Sequence, residues 1–188
     1  MNRLMAWVAP VLLLAGLAGT AWSSAAMFEV RTGGLYLNSK EVRDVYKIGV
    51  VVGADLTVPV WKGLCLWAGA DYYSKKGKLT FTLEDTTLRV VPVFAGFKLQ
   101  APSSAVRPYL ALAAGYFLYK ETNILGTVSG SRIGPLAQLG FLVRIKGAVW
   151  LDIHGRFTSV RYKNAEEPEP LTADIGGIDG GLGLAFRF

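Results

Sequence analysis

Residues 178–188 read IDGGLGLAFRF. Gly180, Leu182, Leu184, Phe186 and Phe188 fall on one parity; Asp179, Gly181, Gly183, Ala185 and Arg187 fall on the other. In an extended strand, successive side chains point to opposite faces. One face of this stretch is therefore apolar and ends in aromatics, while the other is small and charged. A strand of this kind has two unlike surroundings. If the apolar face meets hydrocarbon, both backbone edges must be paired, because hydrocarbon tolerates no open edge.

The composition agrees. Apolar residues make up 52% of the 188-residue chain and charged residues only 18%, below the roughly 25% usual for soluble chains. Mean hydropathy is +0.34. Yet after residue 22 no apolar run approaches the ~18 residues of a spanning helix. The apolar residues must be interleaved with others. The single cysteine, Cys65, excludes an intramolecular disulfide. The formal charge of +6 is scattered, with no basic patch for nucleic acid. Zinc-type Cys/His spacing, a phosphate loop and a hydrolase nucleophile elbow are all missing from the sequence.

Residues 1–26, MNRLMAWVAPVLLLAGLAGTAWSSAA, read as a helical export signal. Arg3 is the basic flank, Val8 to Ala18 the apolar centre, and Ser24-Ala25-Ala26 the small residues before cleavage. Cleavage after Ala26 is the reading adopted, with Ala21 and Ala25 as alternatives. Residues 27–188 are then one exported domain.

The parity split of the final stretch recurs. It appears near Phe28–Asn38, in YKIGVVVGADLTV (46–58), LCLWAGADYY (64–73), RPYLALAAGYFLY (107–119), AQLGFLVRI (137–145) and VWLDIHGRFT (149–158). Residues 88–99 are ambiguous, because Arg89 and Lys98 lie on opposite parities and Pro92 interrupts the run. A bulge, or Lys98 snorkelling to an interface, would reconcile them. With 178–188 this makes eight strands. Connections after strands two, four and six look tight: PVWKG, QAPSSAV and KG. Those after strands one, three, five and seven look longer, as in KETNILGTVSGSR and KNAEEPEPLTADIG. Short turns at one end and long loops at the other are the pattern of an outer-membrane barrel.

A soluble sandwich also alternates, but it turns its charged face to water. Here the charged parity carries Gly49, Gly53, Gly69, Ala111, Ala113, Gly115, Gly181 and Gly183. Water does not require small residues; the cramped interior of an eight-stranded barrel does. The expected class is all-β: an eight-stranded antiparallel up-and-down transmembrane β-barrel, preceded by the helical signal peptide. The expected lumenal charge network is Glu29, Arg31, Lys47, Asp55, Asp71, Arg107, Arg144, Asp152, His154, Arg156, Asp179 and Arg187. Its signs balance, as buried charges require. The expected aromatic girdles are Tyr36, Tyr46, Tyr72 and Tyr116 at the loop end and Phe28 and Phe188 at the turn end. Trp67 and Trp150 fall inward and fit neither girdle.

With these residues the chain resembles the small bacterial outer-membrane barrels of the OmpX/opacity-like group. Gly183-x-x-Phe186-x-Phe188 is similar to that group's C-terminal assembly signal, although Gly181 stands where a polar residue is usual. RPYLALAAGYFLYKE (107–121) and the pair YYSKKGKL/LRVVPVFAGFKL resemble its mid-barrel strands. The resemblance implies residence in a Gram-negative outer membrane, contact with its lipids and lipopolysaccharide, and assembly by the barrel assembly machinery. A monomer without cofactor, metal or nucleic-acid partner is expected.

The remaining candidates are few. His154 is the only histidine. Its catalytic reading, a base in a lipid-modifying barrel, lacks an adjacent serine, so it is read as a lumenal network member. Lys75, Lys76 and Lys78 read as a solvated loop, with lipopolysaccharide phosphate contact as the functional alternative. Glu166, Glu167 and Glu169 read as the solubilising part of a Pro-stiffened loop. Cys65 reads as a lumenal space-filler. The expected function is that of a structural and surface-interaction protein with a side-chain-filled lumen and no enzymatic activity. A narrow porin-like channel is the alternative, and a lipid-modifying enzyme ranks third.

Overall fold

A computed structural model describes residues 26–78, 84–101, 105–124, 126–163 and 172–188. The export segment, up to residue 25, and Glu166, Glu167 and Glu169 lie outside the described residues. In chain order the elements are β1 (Met27–Leu37), α1 (Lys40–Tyr46), β2 (Ile48–Trp61), β3 (Leu64–Lys78), β4 (Asp85–Gln100), β5 (Val106–Asn123), β6 (Gly126–Lys146), β7 (Val149–Thr158), β8 (Arg161–Lys163), β9 (Thr172–Asp174) and β10 (Gly177–Arg187). β1–β7 and β10 form a closed antiparallel barrel in the order β1-β10-β7-β6-β5-β4-β3-β2. The seam joins β1 to β10 from Met27↔Arg187 to Leu37↔Gly177. The Phe188 amide donates to the Ala26 carbonyl at 2.9 Å, extending the seam by one bond.

At one end the connections are tight. Lys62 (φ 31°) and Gly63 (φ 93°) turn β2 into β3, and Gly147 (φ 55°) turns β6 into β7. Two-residue hairpins need positive φ because only then does the turn follow the strands' twist. Each is preceded by a register shift, at Pro59/Trp61 and Arg144/Lys146.

The other end departs from expectation. β5 and β6 do not open into a loop after Tyr119. They stay paired to Asn123↔Gly126, so most of the stretch read as a loop is strand. The alternation fades there because both faces meet solvent, while Thr122, Thr127 and Val128 keep a β preference. Lys75, Lys76 and Lys78 likewise belong to β3 rather than to a loop.

α1 was not legible either. Val42, Val45 and Tyr46 have i, i+3, i+4 spacing, a helical face only seven residues long. That face turns into the barrel mouth. Tyr46 is 3% exposed and packs with Leu37, Tyr73, Leu88, Val90, Phe117 and Val160. Its hydroxyl donates to Glu121 Oε1 at 2.7 Å. Tyr46 is therefore not an outward girdle residue. Lys47, with φ 52°, ends the helix and is exposed outside the charge network. Strand parity does not hold through a helical segment, and both assignments fail for that reason.

Beside the mouth, Asp174 ties the last loop. Its Oδ1 accepts the amides of Val160 (2.7 Å) and Gly176 (2.8 Å), and its Oδ2 accepts Ser159 Oγ (3.0 Å) and Asn38 Nδ2 (3.2 Å). Partial burial pushes its carboxyl up, but these four donors outweigh burial and hold it below the ordinary aspartate range.

The two faces of the wall differ as a membrane barrel requires. Val50 (65% exposed), Leu112 (58%) and Leu139 (60%) point outward, whereas Glu29, Asp55, Asp71 and Asp152 are buried inside. A continuous apolar wall of this extent exceeds any patch normal for a protein in water. Strand β4 keeps one parity throughout. Arg89 points outward near the loop end and Lys98 points inward, 1% exposed. Neither a bulge nor snorkelling is needed: Pro92 stays in the strand opposite Phe117.

A Cβ placed on Gly69 would lie 2.5 Å from the Ala54 carbonyl oxygen, 2.6 Å from Asp55 Cβ and 2.7 Å from Phe94 Cζ. A Cβ on Gly155 would meet nothing within 4 Å. Gly69→Val is expected to lose about 1–3 kcal/mol in urea unfolding from vesicles, with Gly155→Ala near neutral; equal effects would refute the crowding. For Asp174, a lowered folded-state pKa contributes stability that is full above about pH 4 and is lost as pH falls through the folded value. Amide exchange at Val160 and Gly176 should therefore accelerate below about pH 4 in the native chain, and show no such step in Asp174→Asn.

Candidate functional site in the barrel lumen

The lumen is built from the inward parity of all eight strands, and glycines decide which long side chains can cross it. Arg31 on β1 is flanked in register by Gly183 on β10 and Gly53 on β2. These small neighbours leave room for its side chain to extend into the lumen toward β2 and β3. It pairs with Asp55, and its Nη2 donates to Asp71 Oδ1 at 2.6 Å. Arg156, from β7, donates from Nη1 to the second Asp71 oxygen at 2.5 Å. Its Nε and Nη2 donate to Gln138 Oε1 at 2.9 and 2.6 Å. Asp71 is thus clamped between two guanidiniums. Asp179 lies 3.9 Å from Arg156 Nε.

Nearer the tight turns, Lys98 Nζ lies 3.9 Å from both Glu29 Oε2 and Asp55 Oδ1. Asp152 Oδ2 accepts the Tyr109 hydroxyl at 3.0 Å and lies 2.8 Å from His154 Nδ1. Tyr109 also accepts Gln138 Nε2 at 2.7 Å. Two hydrogen-bonded groups therefore link β7 to β5 and β5 to β6. His154 Nε2 faces Asp179 at 3.7 Å. Its partners are carboxylates rather than a hydroxyl or thiol, which suits a hydrogen-bonded place in the lumenal network and not activation of a nucleophile.

Glu29, Asp152 and His154 bring one ligand atom each within 4.8 Å of one another, a grouping that could hold a metal ion. Lys98 Nζ stands 3.9 Å from Glu29 Oε2 at that corner. An ammonium at that position would compete with a cation for the Glu29 carboxylate.

The tryptophans left unexplained by the girdles are platforms for cations. Lys98 Nζ stands 5.2 Å from the Trp67 ring centroid and 4.7 Å from that of Tyr109. Arg31 and Arg156 each stand 5.2 Å from Phe94, which packs on Trp67 at 4.6 Å. At the turn end, Trp150 is held between Arg107 (4.3 Å) and Arg144 (4.7 Å). Aromatic faces attract cations most where water is excluded. The lumen is thus filled in three storeys: apolar at the mouth, ionic in the middle, and aromatic with arginine at the turns.

Of the residues expected in the network, Glu29, Arg31, Asp55, Asp71, Arg107, Asp152, His154, Arg156 and Asp179 are buried inside. Arg144 and Arg187 keep the inward parity but are exposed at the turn-end rim, where the wall has run out. Lys47 is outside, and Lys98 takes a central position that Pro92 had obscured. Counting alternate residues from Phe94 would have placed Lys98 correctly. Phe28 (41% exposed), Tyr36 (46%), Tyr72 (46%), Tyr116 (47%) and Phe188 (71%) point outward; Phe186 does so as well, while Gly183 makes room for Glu29 inside. Cys65 is buried and free.

Removing one partner of a buried pair strands the other charge. Asp71→Asn is expected to lower unfolding stability by about 3–5 kcal/mol, because two arginines lose their shared carboxylate. Lys62→Gln, in an exposed turn, should fall within about 0.5 kcal/mol of the parent. Equal stabilities in urea titrations of vesicle-refolded protein would show that the clamp carries no weight.

No protein-family model matches the sequence, and no curated protein matches it. The fold does match solved structures. Neisserial surface protein A aligns with 17% identity and a TM-score of 0.60, over 87% of this chain and 97% of that one. The outer membrane protein OprG of Pseudomonas aeruginosa aligns with 13% identity and a TM-score of 0.65, over 88% and 97%. The attachment invasion locus protein Ail of Yersinia pestis aligns with 12% identity and a TM-score of 0.54, over 88% and 100%. The chain has the closed eight-stranded up-and-down fold of these small outer-membrane barrels.

Proposed function

We propose that the protein is an outer-membrane anchor that presents its loop end to the exterior, and that its lumen does not conduct. The observation that carries this reading is the filling of the lumen. Tyr46, Leu88 and Phe117 close the mouth, the Arg31–Asp71–Arg156 clamp closes the middle, and Trp150 between arginines closes the turn end. Ions crossing such a lumen would have to part buried ion pairs, each held by partners from different strands. The apolar outer wall supports insertion in a bilayer, and its tyrosines and phenylalanines would lie at the two interfaces. The tight turns would then face the periplasm. Two of the proteins sharing the fold are named for the cell surface and for attachment, which fits a role carried by the loops. The lumen serves stability, so the chain is assigned no enzymatic activity, and it works as a monomer among lipids and lipopolysaccharide.

Two measurements test this. Refolded protein in a planar bilayer should give no steady conductance steps; reproducible open levels would favour the narrow channel instead. On intact cells, a thiol reagent that does not cross membranes should label Ile124→Cys, which is 69% exposed at the hairpin tip, and spare Lys62→Cys at a tight turn. The reverse pattern would invert the orientation, and with it the surface role.

A further inference from the structure

Asp152 and His154 are two residues apart on β7, so both side chains point into the lumen on one face of the strand. Glu29 reaches the same corner from β1. Between these strands runs β10, whose Gly183 is the ladder partner of Asp152. A Cβ on Gly183 would lie 2.6 Å from Glu29 Oε1. Glu29 therefore leans over this glycine toward β7, and one ligand atom from each of the three residues lies within 4.8 Å of the other two.

Two oxygens at this corner are bare. Glu29 is 2% exposed and Asp152 0%, yet among the described residues no donor reaches Glu29 Oε1 or Asp152 Oδ1. Their other oxygens are engaged: Lys98 Nζ lies 3.9 Å from Glu29 Oε2, and Asp152 Oδ2 accepts the Tyr109 hydroxyl. A buried carboxylate oxygen without a partner is costly. Charge is uneven as well. In the middle storey five carboxyl groups, Glu29, Asp55, Asp71, Asp152 and Asp179, face at most three cations, Arg31, Lys98 and Arg156. Arg107 is drawn away to Trp150 at the turn end, beside Arg144. Two carboxyl groups are thus left without a cationic counterpart.

His154 completes a donor set. Its Nε2 faces Asp179 Oδ1 at 3.7 Å and its Nδ1 lies 2.8 Å from Asp152 Oδ2. With the imidazole proton on Nε2, directed at Asp179, Nδ1 presents a lone pair beside the Asp152 carboxylate. An outer carboxylate fixes many metal-bound imidazoles in this way.

We propose that Glu29, Asp152 and His154 hold one divalent metal ion of the zinc class, enclosed as the barrel closes. Two carboxylates and one imidazole are a ligand set that zinc accepts. The imidazole disfavours magnesium and calcium, which take oxygen donors. Lys98 faces Glu29 Oε2, whereas Oε1 is the oxygen assigned to the metal, so the two occupy different oxygens of one carboxylate. The ligands come from β1 and β7, the neighbours of β10 on either side, so the ion joins the strands that flank the closing one. The site goes beyond the anchor reading and holds whichever end of the barrel faces outward.

The corner is sealed in the finished barrel, so the test loads metal during folding. The full chain, without a histidine tag, is refolded into vesicles with zinc or with magnesium, washed with chelator and desalted, and its metal is counted by mass spectrometry of the digested sample. The parent should retain about one zinc per chain and no magnesium. His154→Gln should retain at least about tenfold less zinc, since even an outer partner of a ligand is worth that much. Asp44→Asn, an exposed carboxylate on α1, should match the parent. Should His154→Gln not fold, X-ray absorption of the zinc-loaded parent decides: His154 is the only histidine, so imidazole scattering with neighbours at about 2.0–2.2 Å assigns the ion to this corner, and its absence overturns the site. Equal zinc in His154→Gln and parent overturns it, because the metal would lie elsewhere. So does equal retention of magnesium, which would mean that oxygens alone suffice. A parent free of zinc after the wash also overturns it, leaving a shared proton to satisfy the two carboxyl groups.

Discussion

The pleat of a β-strand gives each residue two directions only, and in this wall one of them leads to hydrocarbon. Every charge within the span must therefore go inward, into a cylinder eight strands around. That interior is narrow. The consequence is a trade along each strand: where one strand sends in Arg31, its neighbours send in Gly53 and Gly183. Where β3 sends in Asp71, β2 again supplies Gly53. The glycines are spatial complements of the long polar side chains beside them.

The same constraint explains why opposite signs are paired inside the lumen. Desolvated charges are tolerated only in company. Asp71 receives arginines from β1 and β7, which lie on the far side of the seam from each other. The clamp therefore holds strands that are not ladder neighbours, a contact that backbone pairing does not provide. The aromatic platforms under Lys98, Arg31 and Arg107 extend this principle, occupying volume while still favouring positive charge.

Much of this was readable from parity. The strand order, the closing of the final strand on the first, and nine of the twelve expected network residues are where alternation puts them. The failures share a cause. Alternation reports a strand only where its two faces differ. Beyond the apolar belt both faces of β5 and β6 meet solvent, so paired strand looks like loop. At α1 the period changes to 3.6 for only about two turns, too short to stand out, and strand parity puts Tyr46 and Lys47 on the wrong faces. Pro92 was read as an interruption, although in a wide enough ladder one missing donor leaves the strand intact. Arg144 and Arg187 show the remaining limit: parity gives direction but not height along the axis.

The seam between 27–37 and 177–187 has a kinetic corollary. It pairs segments separated by nearly the whole domain, so the slowest contact to form is also the one that makes the cylinder complete. A nascent chain cannot commit strand by strand to the bilayer, since each partial sheet would carry two raw edges into oil. Closure of the wall therefore waits for the final span. Until the eleven residues of β10 pair with β1, no intermediate of this topology is free of open edges.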